Sequence, residues 1–129
     1  MGFQYISLAE TLNLHEQTIA ATGGSFGVRD ETLVDSALAR PRAGFGGYEV
    51  YPDVFSKAAI LLEGLIKNHG FVDGNKRTAV VLMLIFLGRN SYRLHVEQRA
   101  LISFAVQIAK GKYETEEIVA WLKKHSKKI

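Results

Sequence analysis

The sequence predicts an all-α protein, a bundle of about six helices broken once by a short β-hairpin or extended flap. Three observations carry that prediction. Apolar residues recur at helical spacing through six stretches. Capping residues, glycines and prolines fall between those stretches. The chain has 129 residues, enough for a single core without metals or disulfides, so one domain is expected over residues 1–129.

The elements follow in order. "SLAETLNLHEQTIAATGG" opens with Ser7 and Glu10 in capping-box spacing, continues through Leu8, Leu12, Ile19 and Ala20, and stops at Gly23–Gly24. "RDETLVDSALARP" starts at Asp30 as a cap and ends before Pro41. "AGFGGYEVYPD", residues 43–53, alternates after a Gly–Gly pair, which suits a short hairpin; an ordinary interhelix loop is the alternative. "PDVFSKAAILLEGLIKNH" starts at Asp53 and gathers Val54, Ala58, Leu61, Leu62 and Leu65 on one face. "NKRTAVVLMLIFLGRN" is apolar nearly all round from Ala79 to Leu87, as expected of a buried central helix. "VEQRALISFAVQIAKG" is amphipathic with Gly111 as its stop. "TEEIVAWLKKH" begins at Thr115 and buries Ile118, Trp121 and Leu122.

Composition narrows the function. There is no cysteine, so neither a disulfide framework nor a thiolate metal site exists, and a reducing cytoplasm suits the chain. The first residues, "MGFQYISLAETLN", lack the basic and apolar regions of a signal peptide. The apolar runs at 58–66 and 79–87 fall short of the roughly eighteen residues a membrane-spanning helix needs, and no membrane partner is expected. The pI of about 9.2 comes largely from the last residues. Lys123, Lys124, Lys127 and Lys128 lie in "KKHSKKI"; without them 12 basic residues face 13 acidic ones. A solvated helix end explains that tail, and the near-neutral body argues against direct nucleic-acid binding.

The densest polarity lies in "NHGFVDGNKRTAV", residues 68–80, between the two most apolar helices. His69 ends one helix, Gly70 to Gly74 make a turn, and the next helix begins near Asn75. The first amides of a helix lack intrahelical acceptors and sit at its positive end. Gly74 permits close approach, while Asn75, Lys76 and Arg77 add donors and charge, the parts of a phosphate site. Asp73 would repel phosphate unless a divalent cation such as Mg²⁺ bridged them. His69 would then accept a proton from a hydroxyl nucleophile. Phe71 anchors the turn.

Taken singly, each residue has an ordinary reading: Asp73 as a cap, His69 as a helix end, Lys76 and Arg77 as a solvated face. Together they do not. Two cations in the first turn oppose the helix dipole and call for an anion. By contrast His15, His95 and His125 show no metal-ligand spacing and read as surface or capping residues. Tyr48, Tyr51, Arg40 and Arg42 stay unassigned.

"HGFVDGNKRTA" resembles the signature of the Fic superfamily, His-x-Phe-x-(Asp/Glu)-Gly-Asn-(Gly/Lys)-Arg, in the form carried by death-on-curing (Doc) toxins of type II toxin–antitoxin pairs. "GVRDETLVDSALARP" and "GGYEVYPDVFSKAAILLEGLIKNHGFVDGNKRTA" read like the same family, so the likeness spans about residues 23–90. The resemblance implies a Fic/Doc-like bundle. It also implies His69 as the base, Asp73 as the Mg²⁺ ligand, and Gly74, Asn75 and Arg77 as the phosphate cradle for ATP. Residues 44–51 would be a flap that holds the target chain as an added strand.

Two departures from adenylylating Fic enzymes are Doc-like: Lys76 replaces glycine, and Val80 stands where a second arginine is common. The resemblance associates them with a reversed nucleotide and hence with phosphorylation, with Lys76 acting in the phosphate subsite. A threonine of elongation factor Tu is the implied target, and arrest of translation the outcome. No Ser/Thr-x-x-x-Glu-(Gly/Asn) inhibitory pattern occurs, so a Phd-type antitoxin whose segment folds into a groove is the expected brake. The alternatives are AMP transfer by the same fold, a ribonuclease using His69, Asp73 and Lys76, and a silent binding module.

Overall fold

A computed structural model describes residues 2–129. The order is α1 (Leu8–Thr22), α2 (Glu31–Ala39), a 3₁₀ turn (Arg40–Arg42), β1 (Gly44–Phe45), β2 (Tyr48–Glu49), α3 (Val54–Asn68), α4 (Asn75–Arg89), β3 (Tyr92–Leu94), α5 (Gln98–Ala109), α6 (Thr115–His125) and β4 (Ser126–Lys128). The expected all-α bundle of six helices is therefore what forms.

Helix α3 is the axle. Eleven of its fifteen residues are buried, including the whole run from Lys57 to Ile66, and α2, α4, α5, α6 and the 3₁₀ turn pack around it. At Gly64 an added methyl would meet the Ala37 Cβ at 3.3 Å, so glycine lets α2 lie close. The Asp53 carboxylate caps α3 by accepting from the amides of Phe55 and Ser56, both at 2.9 Å. The Ser7–Glu10 capping box of α1 forms with both of its bonds.

Three expectations are corrected. Helix α4 is not buried all round: Ala79, Leu82, Met83, Phe86 and Leu87 face the core, but Leu84 is exposed and Val80 and Val81 are half-buried. Their side forms the wall of an apolar groove with Leu94, Val96, Ile102 and Val106. The tail is not simply a helix end. Only Lys123 and Lys124 lie in the last turn of α6, whereas Lys127 and Lys128 belong to β4, paired antiparallel with β3 in the register Arg93↔Lys127. A strand edge at Tyr92–Leu94 needed a partner, and the chain's own end supplies it. Finally, α1 buries Thr11, His15 and Ile19 rather than a purely apolar row.

The expected hairpin does form. Phe45 pairs with Tyr48 across Gly46 and Gly47, whose φ values of 53° and 84° are those a two-residue primed turn requires. No third strand covers either edge among the described residues. No described helix is long and apolar enough to cross a membrane.

Candidate active site

The turn between α3 and α4 is built by an unusual chain path. His69 follows the last helical residue with φ 50° and ψ 48°, the left-handed region that costs a non-glycine residue about 1–2 kcal/mol. Arg29 stabilises it: Nε donates to the His69 carbonyl at 2.7 Å and Nη2 to the Asn68 carbonyl at 3.2 Å. A cation there also offsets the negative end of α3. The Arg29 and Asp30 amides both donate to the Gly70 carbonyl, and the Val72 amide donates to Gly27, so residues 27–30 run beside 70–72. Gly70 has no room for a side chain, since a Cβ would sit 2.4 Å from Val34 Cγ2. The imidazole of His69 is left exposed at the surface.

Phe71 is 3 % exposed and anchors the turn, stacked on the His15 ring at 3.8 Å between centroids. Asn75 closes the turn around it: its Nδ2 donates to the Phe71 carbonyl and its Oδ1 accepts from the Phe71 amide, each at 3.0 Å. One N–H of the side-chain amide is thus spent on holding the turn, Nδ2 keeps its second, and the backbone N–H of Asn75 lies ahead of the helical ladder.

Gly74, with φ 75°, starts α4 and touches α1 closely; a Cβ would lie 2.8 Å from Ile19 Cδ1. The Thr78 amide, bonded to the Gly74 carbonyl at 2.9 Å, is the first in the helical ladder. The amides of Asn75, Lys76 and Arg77 precede it, unpaired by the helix and at its positive end. Lys76 is exposed and makes no ion pair among the described residues. Arg77 is partly committed: its Nη1 donates to Thr22 Oγ1 and to the Gly23 carbonyl (2.7 Å), and its Nη2 lies 3.7 Å from Asp73 Oδ1.

Asp73 accepts one amide on each oxygen, Ser25 N on Oδ2 at 3.0 Å and its own neighbour Gly74 N on Oδ1 at 2.8 Å. Those amides, with Arg77 nearby, hold its carboxyl below the usual carboxylate range. Its side chain stays 45 % exposed, and each oxygen retains acceptor capacity. No group of three or more metal-ligating side chains gathers among the described residues. A lone, ionised, accessible carboxylate suits a cation that takes one protein oxygen and fills its shell with phosphate and water, the habit of Mg²⁺.

All six residues singled out in the sequence, His69, Asp73, Gly74, Asn75, Lys76 and Arg77, thus line one turn. Two supports were missed. Arg29 stands one residue before a helix cap and gives no sequence signal. His15, which the sequence suggests is a surface or capping residue, is 2 % exposed, with Nε2 donating to the Asp73 carbonyl at 2.8 Å. Its signal was the row Thr11, His15, Ile19 at four-residue intervals, all facing inward.

Residues 5–87 match the model of the Fic/DOC family. Toxin Doc of Mycolicibacterium smegmatis is 49 % identical over 74 residues, covering 57 % of each chain, so the matched region spans a little over half of that relative. Protein kinase doc of Escherichia phage P1 is 30 % identical over 121 residues, 94 % of each chain. With a histidine at a helix end, a carboxylate in the turn and cations opening the next helix, matched by the family model across most of the chain, the protein belongs to the Fic/DOC family.

Proposed function

We propose that the protein is a Doc-type toxin that transfers the γ-phosphoryl group of ATP to a protein hydroxyl, a threonine of elongation factor Tu, and so halts translation. The observation that carries this reading is the first turn of α4: three amides ahead of the helical ladder, an exposed unpaired Lys76 and a single ionised carboxylate, all beside His69. The name borne by the phage P1 relative, protein kinase doc, supports transfer of a phosphoryl group.

In this reading the backbone amides and Lys76 bind the phosphates and neutralise charge that builds on them during transfer. Arg77, anchored to the end of α1, holds its guanidinium beside the same phosphates. His69 takes the proton from the attacking hydroxyl as its oxygen bonds to the γ-phosphorus, and the bond to the bridging oxygen breaks to release ADP. Asp73 would hold Mg²⁺, which when bound supplies positive charge to the phosphate oxygens. The flap, with both edges free, receives the acceptor chain as an added strand.

The apolar groove along α4, about 670 Å³, starts at Thr22, Lys76 and Arg77. A helical segment of a Phd-type antitoxin seated there would end at the phosphate subsite and block it. Cytoplasmic action follows from the target.

AMP transfer by the same fold is the closest rival, because it uses the same residues with the nucleotide reversed. Incubation with elongation factor Tu, Mg²⁺ and ATP labelled at the α- or γ-phosphate separates the two. Label from the γ position alone is expected, and His69→Ala should lower the rate by about 10²–10⁴-fold. Transfer from the α position would establish AMP transfer instead. RNA cleavage without nucleotide would establish a ribonuclease.

A further inference from the structure

Lys57 has no exposed surface, yet carries a charge at the start of the core helix, four residues after its Asp53 cap. Its Nζ donates to the Pro41 carbonyl at 2.8 Å and to Glu49 Oε1 at 2.6 Å, and lies 4.9 Å from the Phe3 ring and 5.6 Å from the Tyr5 ring. Burial pulls its pKa down, but the Glu49 carboxylate and the Tyr5 phenol outweigh it and hold the ammonium above its ordinary value. An apolar residue would fill this space beside the aromatic rings without the cost of taking an ammonium out of water, and Glu49, the partner of that ammonium, keeps its side chain 45 % exposed. The lysine therefore does something that packing does not. What it reaches is the flap.

Residues 44–50 are all exposed, and Phe45, 78 % exposed, lies against Tyr48 across the hairpin. A two-stranded hairpin with strands this short is not stable alone. Among the described residues the Lys57–Glu49 pair is the one salt bridge that ties it to the helices. Beside it, Arg40 of the 3₁₀ turn donates to the Tyr51 hydroxyl just past β2, whereas the bond from the Val50 amide to the Ala43 carbonyl is a further rung of the hairpin itself.

We propose that Lys57 is a positioning residue for the protein acceptor: through Glu49 it pins the flap so that its free edge meets the incoming chain in one register. This rests on the transferase reading above. A strand added to a loose edge would bear the ordering cost at each encounter, so releasing the flap weakens acceptor binding while leaving the phosphate subsite intact.

The chain has no cysteine, so Phe45→Cys takes a single nitroxide whose spectrum reports flap motion. In that background Glu49→Ala should give a visibly more mobile spectrum. The KM for elongation factor Tu should rise about tenfold, with kcat changing less and ATP affinity unchanged. Lys57→Met/Glu49→Met removes the charges together and should melt near the parent temperature while keeping the mobile label and the raised KM. A merely structural pair would instead recover both when stability recovers. An unchanged spectrum in Glu49→Ala overturns the proposal, as does a mobile flap with an unchanged acceptor KM. If the parent protein transfers no label to the acceptor, the transferase reading fails in that assay, and the spectrum alone then decides whether Lys57 holds the flap.

Discussion

His15 and Asp73, 58 positions apart, are joined by a 2.8 Å bond from the imidazole Nε2 to the Asp73 carbonyl. The His15 ring lies nearly flat on Phe71, at 8° between planes. One side chain of α1 thus holds both the backbone of the metal-binding candidate and the anchor of its turn. His15→Phe would keep the stacking and leave that carbonyl without its donor. The expected cost is about 1–2 kcal/mol in urea unfolding and, under the transferase reading, weaker ATP binding in the same variant. His15→Gln, which can still donate, should recover most of the loss.

Arg29 caps α3 through the carbonyls of Asn68 and His69. Arg29→Ala removes the donors that favour the left-handed His69 and frees the imidazole to wander. Under the transferase reading kcat should fall by about tenfold with little change in the KM for ATP, because orientation rather than phosphate binding is lost. Steady-state kinetics at varied ATP check the split. A lysine at position 29 restores charge without the two-pronged donor, so it should rescue only in part.

Much of this was legible because the chain writes its helix ends clearly. Ser7 with Glu10, Asp30 and Asp53 each cap the helix that the sequence places there. The motif residues are contiguous, so the sequence alone could bring His69 to Arg77 together at the turn that leads into α4, where the structure has them. What could not be read is what reaches it from elsewhere. Arg29 and Ser25 act across more than 35 positions through the loop that follows α1. That Asn75 bonds both ways to the Phe71 backbone was equally unreadable, because nothing in its sequence neighbourhood shows that the turn folds back on it. The strand at Ser126–Lys128 was hidden by lysines at both kinds of position, helix end and edge strand, which favour the same residue for different reasons.

Gly24 tests the loop itself. With φ 114° it adopts a conformation that side chains resist, and an added Cβ would come within 2.5 Å of Asp73 Oδ2 and 3.0 Å of Arg77 Nη2. Gly24→Ala must push the carboxylate and guanidinium aside. A loss of about 1–3 kcal/mol is expected by thermal or chemical unfolding. If Asp73 binds Mg²⁺, the concentration supporting half-maximal transfer should also rise. Gly23→Ala is the control: it too has a positive φ, of 89°, but a methyl there meets nothing within 4 Å, so it should cost stability without moving the Mg²⁺ requirement.

Acid should unfold the protein in a defined window. The Arg89 guanidinium, with the Ser7 amide, pulls the Glu10 carboxyl down from 4.5 to about 2, tying α1 to the end of α4. Asp30, bonded to Thr32, and Asp73, bonded to the Ser25 and Gly74 amides, are lowered as well. A carboxyl depressed in the folded state binds fewer protons there than when unfolded, so its stabilisation is complete above the unfolded pKa and drains away as pH falls. For Glu10 that loss runs from about pH 4.5 down to about 2. Melting temperature followed across this range should drop, and Glu10→Gln should melt lower at neutral pH yet lose less on acidification. Equal slopes for the two proteins below pH 4.5 would mean that the Glu10–Arg89 pair is not what acid breaks.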